Sequence, residues 1–229
     1  MENQLAGARR FPLCKTLNAP RIETMEFKEE LESKSAPRIK KAAAKISKGK
    51  INGYESLLLS SLKLLIQKPK SWQAQSEIIK SIGITGTEKS LPYLKELSMQ
   101  KFDSTVLYRD IGFSICLLED ISGGQLNYMA SILDTSNDLL LSGACAAMLF
   151  SGYTPSSEDI IRIIESVVGR DQNEGQVITP RCYIAAACYS WPAELTASFL
   201  QKCANSSWSD LAEIANDSLA GKKSKYVLI

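Results

Sequence analysis

The sequence predicts an all-α protein, and three observations carry this prediction. From about residue 26 onward, apolar residues recur at helical spacing, and no segment shows a sustained alternation with a period of two. The chain of 229 residues holds only 13 glycines and 8 prolines, a smaller share than loop-rich β proteins have. Apolar pairs four residues apart also recur every 31–40 residues, which is the pattern of a helical solenoid.

The N-terminal segment differs from the rest of the chain. Residues 1–25 lack helical periodicity and contain Pro12 and Pro20, so we expect a flexible or loosely docked extension. Residues 26–229 carry the helical pattern almost everywhere and are expected to form a single domain.

The sequence predicts six helices that share one apolar pattern. Each has an apolar residue at a position that we take as equivalent, and a second apolar residue four positions earlier. The equivalent positions are Ile46, Ile82, Ile115, Met148, Cys188 and Leu219, and the earlier ones are Ala42, Ile78, Ile111, Ala144, Ile184 and Ala215. Because a solenoid buries such stripes only by stacking its repeats, we expect these positions to form the core.

A second helix follows each of the first five, which predicts about eleven or twelve helices in all. The predicted second helices cover about 53–66, 89–101, 124–134, 157–169 and 193–203. Thr154-Pro155 and Thr179-Pro180 each pair an N-cap residue with a proline at the first helical position, which predicts two helix starts. The polar run 170–175 predicts a loop insertion.

The segment from Trp72 to Leu97, WQAQSEIIKSIGITGTEKSLPYLKEL, resembles the HEAT-like repeat. Its first helix is amphipathic and ends near Ile82, and Leu91-Pro92 opens the second helix after a glycine turn. The resemblance covers about residues 36–221 and matches best in the second repeat. It implies a right-handed α-solenoid of about five to six helix pairs, but no single activity, because HEAT-like arrays serve scaffolding, transport, inhibition and catalysis.

Histidine is absent from the sequence. Its absence excludes histidine general bases, Ser-His and Cys-His nucleophile pairs, and histidine-ligated metal sites. None of the cysteines is spaced as CxxC, so we expect free buried thiols at Cys14, Cys116, Cys145, Cys182, Cys188 and Cys203. We therefore expect a non-enzymatic protein with no catalytic residues, no cofactor and no metal.

The N-terminal residues contain no apolar stretch typical of a secretory signal, and no segment approaches 18 consecutive apolar residues. We therefore expect a cytoplasmic protein without a membrane partner. We also expect it to act as a monomer or in a 1:1 complex.

Charge is distributed very unevenly along the chain, although the net charge is only +2. Residues 1–70 hold 15 Lys/Arg and 7 Asp/Glu, whereas residues 71–220 hold 9 Lys/Arg and 18 Asp/Glu. The three lysines of residues 221–229 restore the positive sign. Such a block pattern is informative about partners in a way that the total charge is not.

The acidic middle of the chain is the strongest functional signal. We interpret it as an anionic surface that steers and holds a basic protein partner. The residues expected to contact that partner are Glu119, Asp120, Asp134, Asp138 and Glu165. The alternative is ordinary surface acidity, in part near helix N-termini, where carboxylates oppose the helix dipole.

Two other features have an ordinary and a functional interpretation. The basic run 38–50 is either the solvated face of the first repeat or an electrostatic footprint for an acidic surface or phosphate. Trp72, Trp191 and Trp208 either pack between repeats or provide an exposed binding anchor. The ordinary interpretation is favoured in both cases.

These features favour a cytosolic inhibitor of a basic partner, such as a toxin or nuclease domain. Small HEAT-like proteins of bacterial type are similar to immunity proteins that neutralise cognate toxins. One alternative is a HEAT-like DNA glycosylase, but the acidic middle repeats would repel phosphate and disfavour nucleic acid. Another is a generic scaffold or a lyase-type chaperone of the kind that handles bilin cofactors.

Overall fold

The computed structural model describes residues 27–170 and 179–225, and within these ranges it is helical and contains no β-strand. Residues 27–31 are helical, and eleven longer helices follow. They are α1 (Ala36–Gly49), α2 (Glu55–Leu65), α3 (Trp72–Thr85), α4 (Leu91–Ser98), α5 (Val106–Ile115), α6 (Asn127–Leu133), α7 (Asp138–Ser151), α8 (Ser157–Val168), α9 (Pro180–Ala187), α10 (Ala193–Ala204) and α11 (Ser209–Leu219). The expected extension at 1–25 and most of the expected loop insertion lie outside the described residues.

The helices form two rows. In the primary row, each of α1, α3, α5, α7, α9 and α11 packs against the next member of the row. The helices between them (α2, α4, α6, α8 and α10) form the secondary row, and each packs against the primary helix that follows it in the chain. All five predicted second helices are confirmed, with bounds that differ from the predicted ones by a few residues.

The predicted core positions are buried with one exception. Leu219, at the end of α11, is 43% exposed, so its assignment to the core is wrong. The physical reason is that no helix follows α11 in the described residues. Each earlier helix of the primary row packs against the next one, whereas α11 has no later neighbour in the described residues.

One of the two predicted helix starts is correct. Thr179 is the N-cap of α9, and Pro180 is its first residue. The start predicted at Thr154-Pro155 is wrong, because α8 begins two residues later and its N-cap is Ser156. The hydroxyl of Ser156 accepts a hydrogen bond from the backbone N–H of Asp159 at 3.2 Å, which satisfies one of the unpaired amides of the first turn.

Buried serine hydroxyls connect successive helices of the primary row. In three of the contacts, a serine donates a hydrogen bond to a backbone carbonyl of the preceding primary helix. The pairs are Ser81 to Ala43 (2.6 Å), Ser114 to Ile79 (2.8 Å) and Ser218 to Ala185 (2.6 Å). Each serine immediately precedes one of the equivalent positions of the repeat. The small side chain therefore both permits a close approach of the two helices and supplies a hydrogen bond across it.

The contact between α5 and α7 is even closer and depends on glycine. A Cβ atom added to Gly143 would collide with the carbonyl oxygen of Arg109 and lie 2.6 Å from the backbone nitrogen of Phe113. Gly112 faces the backbone of Leu140 in the same way. Because the neighbouring atoms belong to backbone rather than to flexible side chains, they cannot move aside without displacing a helix.

We predict that Gly143→Ala destabilises the protein by about 2–4 kcal/mol, because the new methyl group must push α5 and α7 apart. The matched control is Gly123→Ala, where nothing lies within 4 Å of the added Cβ atom. The control should change the free energy of unfolding by less than about 1 kcal/mol. Urea unfolding followed by circular dichroism measures both values, and an equal effect of the two substitutions would contradict the close contact.

Candidate functional site

The five predicted partner contacts do not form one surface. Glu119 and Asp120 lie in a π-helical turn, Cys116–Ile121, that continues α5. Asp134 and Asp138 lie at the end of α6 and the start of α7, and Glu165 lies on α8.

Asp120 is completely buried. Its two carboxylate oxygens accept the backbone N–H groups of Tyr128 and Met129, each at 2.7 Å, at the N-terminus of α6. These amides have no partner within the helix, so Asp120 acts as the cap of α6. The prediction that Asp120 contacts a partner is therefore corrected, since the fold holds this carboxylate away from the surface.

Glu119 is also largely occupied within the fold. Its side chain is 21% exposed and forms an ion pair with Lys95 of α4. Glu119 therefore presents less negative charge than the sequence suggests.

The two arginines of the acidic segment neutralise two of the predicted contacts. Arg162 approaches a carboxylate oxygen of Asp134 at 3.1 Å, and Arg170 approaches one of Asp138 at 2.8 Å. The Asp134 side chain nevertheless remains 81% exposed, and that of Asp138 remains 42% exposed. Both carboxylates thus stay accessible to a partner, but each already has a cation beside it.

Side chains on α8 and just after it attach this helix to the C-terminal end of α6. Arg162 donates to the carbonyl of Ala130, Ser166 donates to that of Leu133 at 3.0 Å, and Arg170 donates to those of Leu133 and Thr135. The last carbonyls of a helix have no partner within it, and a positive charge there is favourable. These contacts hold α8 in a defined orientation. Arg162 and Ser166 on α8 and Arg170, two residues past its end, are spaced four residues apart, and the sequence displays this spacing.

The side of α8 away from its buried residues is exposed in the part of the chain that the structure describes, and we call it the α8 exposed face. It consists of Glu158, Ile161, Glu165 and Val168, which are spaced three, four and three residues apart and therefore form one line along the helix. Ile161 is 46% exposed and Val168 is 41% exposed, although both are large aliphatic side chains. The buried side of α8 carries Ile160, Ile163 and Val167 instead.

The surroundings of α8 carry a net negative charge. Among the described residues 157–170 and the two aspartates that their arginines pair with, five carboxylates oppose two guanidinium groups, which leaves a net charge of −3: Asp134, Asp138, Glu158, Asp159 and Glu165 against Arg162 and Arg170. Such a surface attracts cations at a distance, and its aliphatic side chains can then be buried on contact.

Like Asp120, the carboxyl group of Asp110 is buried, on α5 in the primary row. Its side chain is 2% exposed, and its Oδ2 atom has no hydrogen-bond partner. Burial raises the pKa of Asp110 to about 6, against the opposing effects of Ser76 and Arg109. The group is therefore a source of pH-dependent stability.

The three tryptophans have different environments. Trp191 is 5% exposed and donates its indole N–H to the carbonyl of Tyr153 at 3.0 Å, and Trp208 packs partly buried against the core. Trp72 is 37% exposed beside a cleft of about 120 Å³ that also includes Gln75 and Phe102. Packing therefore accounts for Trp191 and Trp208, and Trp72 alone is accessible as an anchor.

The buried side of α1 agrees with the ordinary interpretation of the basic run 38–50. Ile39, Ala43 and Ile46 are buried, as expected for a helix whose lysines face outward. Arg38 forms an ion pair with Glu30 at 3.2 Å, and the Lys40 ammonium donates to Gln73. These contacts do not assign the exposed lysines to a ligand.

Comparison of the sequence with protein-family models, with curated proteins and with solved structures finds no match. Within the described ranges, no cluster of three or more potential ligand side chains is arranged to hold a metal ion. None of the described helices combines the length and the apolar character needed to cross a bilayer. The interpretation of the site therefore depends on its own geometry.

We predict opposite effects for two conservative substitutions of buried aspartates. Because the pKa of Asp110 is raised, the folded state binds more protons than the unfolded state between about pH 4 and pH 6, and stability is lost as the pH rises through this range. Asp110→Asn should remove this loss and raise the free energy of unfolding at pH 7.5 by on the order of 2 kcal/mol.

Burial raises the pKa of Asp120 to about 6 as well, yet its two oxygens both accept backbone N–H groups. Asparagine has only one acceptor oxygen, so Asp120→Asn should lower stability by about 1–3 kcal/mol at pH 7.5. Chemical unfolding of both variants and the parent protein between pH 4 and pH 8 measures these effects. The same sign for the two variants at pH 7.5 would contradict the assigned roles.

Proposed function

We propose that the described helices form a right-handed α-solenoid of HEAT-like helix pairs. The order of packing supports this proposal, because each primary helix packs against the next one and each secondary helix packs against its successor in the chain. The recurrence of a serine at one position of the repeat, donating each time to the preceding primary helix, supports it further.

We propose that the protein is a non-enzymatic binding module for a basic protein partner, and specifically an inhibitor of the immunity-protein type. The observation that carries this proposal is the α8 exposed face, where two accessible aliphatic side chains alternate with two carboxylates. Interfaces derive affinity from apolar contacts at their centre, whereas complementary charges determine the rate and specificity of association. The α8 exposed face offers both features on one rigid helix.

The position of α8 also suits a binding role. The contacts of Arg162, Ser166 and Arg170 with α6 determine the orientation of α8 before any partner arrives. A partner would therefore meet a surface that needs little reorganisation, which reduces the entropic cost of association.

The proposed contacts consequently differ from those expected from sequence alone. Glu165 stays as a contact, and Glu158 joins it as an exposed carboxylate on the same line of α8. Asp134 and Asp138 contribute to the negative field, although both are already paired with arginine.

The product of the adjacent reading frame is the natural partner to test, because genes for inhibitors and their targets are expected to lie together under this proposal. We predict that the double variant Glu158→Lys/Glu165→Lys lowers the association rate about tenfold at low salt, because charge reversal removes electrostatic steering. The rate should also become less sensitive to salt. Stopped-flow or surface-based kinetics at several salt concentrations measures both effects.

Glu96→Lys/Glu213→Lys is the matched control, since it makes the same change of charge at exposed positions of α4 and α11. It should alter the association rate by less than about threefold. The proposal fails if the neighbouring product forms no complex, or if the two double variants have equal effects.

A further inference from the structure

The α8 exposed face has a regular spacing that constrains the shape of its partner. Ile161 and Val168 are seven residues apart, and so are Glu158 and Glu165. Seven residues make about two turns of an α-helix, so like residues recur on one line over roughly 15 Å. This is the spacing by which one helix packs along another in a nearly parallel or antiparallel orientation.

We propose that the partner binds through an amphipathic helix that lies along α8, with aliphatic residues seven apart and lysine or arginine beside them. This inference rests on the proposed function and names the binding element of the partner. The aliphatic residues of that helix would pack against Ile161 and Val168, and its cations would pair with Glu158 and Glu165.

The exposure of the apolar residues on α8 is unusual for this molecule. Other large exposed apolar residues in the described ranges occur singly on their helices or in connections: Leu64, Trp72, Met99, Phe150 and Leu219. On α8 two such residues share one line, whereas single exposed apolar residues are normal and need no partner.

Among the described residues, the arginines near α8 leave this line open. Arg162 and Arg170 turn toward α6, where they bind backbone carbonyls and the carboxylates of Asp134 and Asp138. The Arg162 guanidinium, although 48% exposed, is thereby drawn toward Asp134, and the line itself carries only carboxylates and aliphatic groups. A cationic helix along Glu158, Ile161, Glu165 and Val168 therefore faces carboxylates, and the cation beside this line, Arg162, is engaged by Asp134.

Other occupants fit less well. Nucleic acid would be repelled by the net charge of −3 around α8. An extended peptide that pairs by backbone hydrogen bonds needs a strand edge, and the described residues contain no strand. A second copy of α8 would place like charges opposite each other. The exposed side of α1 in a second copy of the chain offers cations but no aliphatic residue as large as leucine.

Two synthetic peptides provide the test. One is a helix of about three heptads with leucine at the two apolar positions and lysine at most others. The second has the same composition, but its leucines are moved so that they form no apolar line. We expect the first peptide to bind about tenfold more tightly than the second, as measured by fluorescence anisotropy at physiological salt.

The double variant Ile161→Ala/Val168→Ala should weaken binding of the ordered peptide about tenfold, since both anchors are removed. Leu64→Ala/Leu219→Ala is the matched control, because these two residues are exposed to a similar degree, 46% and 43%, on other helices. The control should leave the affinity within about twofold of the parent value.

The inference is overturned if neither peptide binds, if both bind equally, or if the two alanine double variants have the same effect. Glu158→Lys/Glu165→Lys separates this failure from that of the proposed function. If this charge reversal weakens binding of the basic partner protein while Ile161→Ala/Val168→Ala does not, the partner is basic but does not dock a helix on α8. If neither variant affects that partner, both proposals fail.

Discussion

Close contact between successive helices of the primary row constrains the rest of the molecule. Ser81, Ser114 and Ser218 each bond to the preceding primary helix, and at Gly143 the backbones of α5 and α7 leave no space for a methyl group. These positions accommodate only small side chains, so a larger residue there would disturb the contacts between primary helices. The surface that can vary without disturbing this row belongs to the secondary helices, and α8 is one of them.

Polar contacts determine which side of the secondary helix α8 is exposed. Arg162, Ser166 and Arg170 attach α8 to the end of α6. A second side of α8, which carries Ile160 and Ile163, is buried in the core. The remaining side carries the alternating carboxylates and aliphatic groups of the α8 exposed face. Arg162 and Arg170 thus pair with Asp134 and Asp138, while Glu158 and Glu165 remain exposed.

Most of the fold followed from apolar spacing, because the burial of Ile46, Ile82 and Ile115 depends on local helical geometry that a sequence displays directly. The error at Leu219 arose because periodicity does not reveal whether a covering helix follows. The site was harder to predict. Asp120 and Glu165 are equally acidic in the sequence, yet one caps a buried helix N-terminus and the other is exposed, and this difference depends on tertiary contacts.

Methyl NMR with the ordered cationic peptide tests most directly whether the α8 exposed face is the binding surface. The methyl signals of Ile161 and Val168 should shift on addition of peptide, since these groups become covered by another apolar surface. Those of Leu64 and Leu219, which are similarly exposed on other helices, should stay in place. Shifts confined to Leu64 or Leu219, or equal shifts at all four residues, would contradict the assignment of binding to α8.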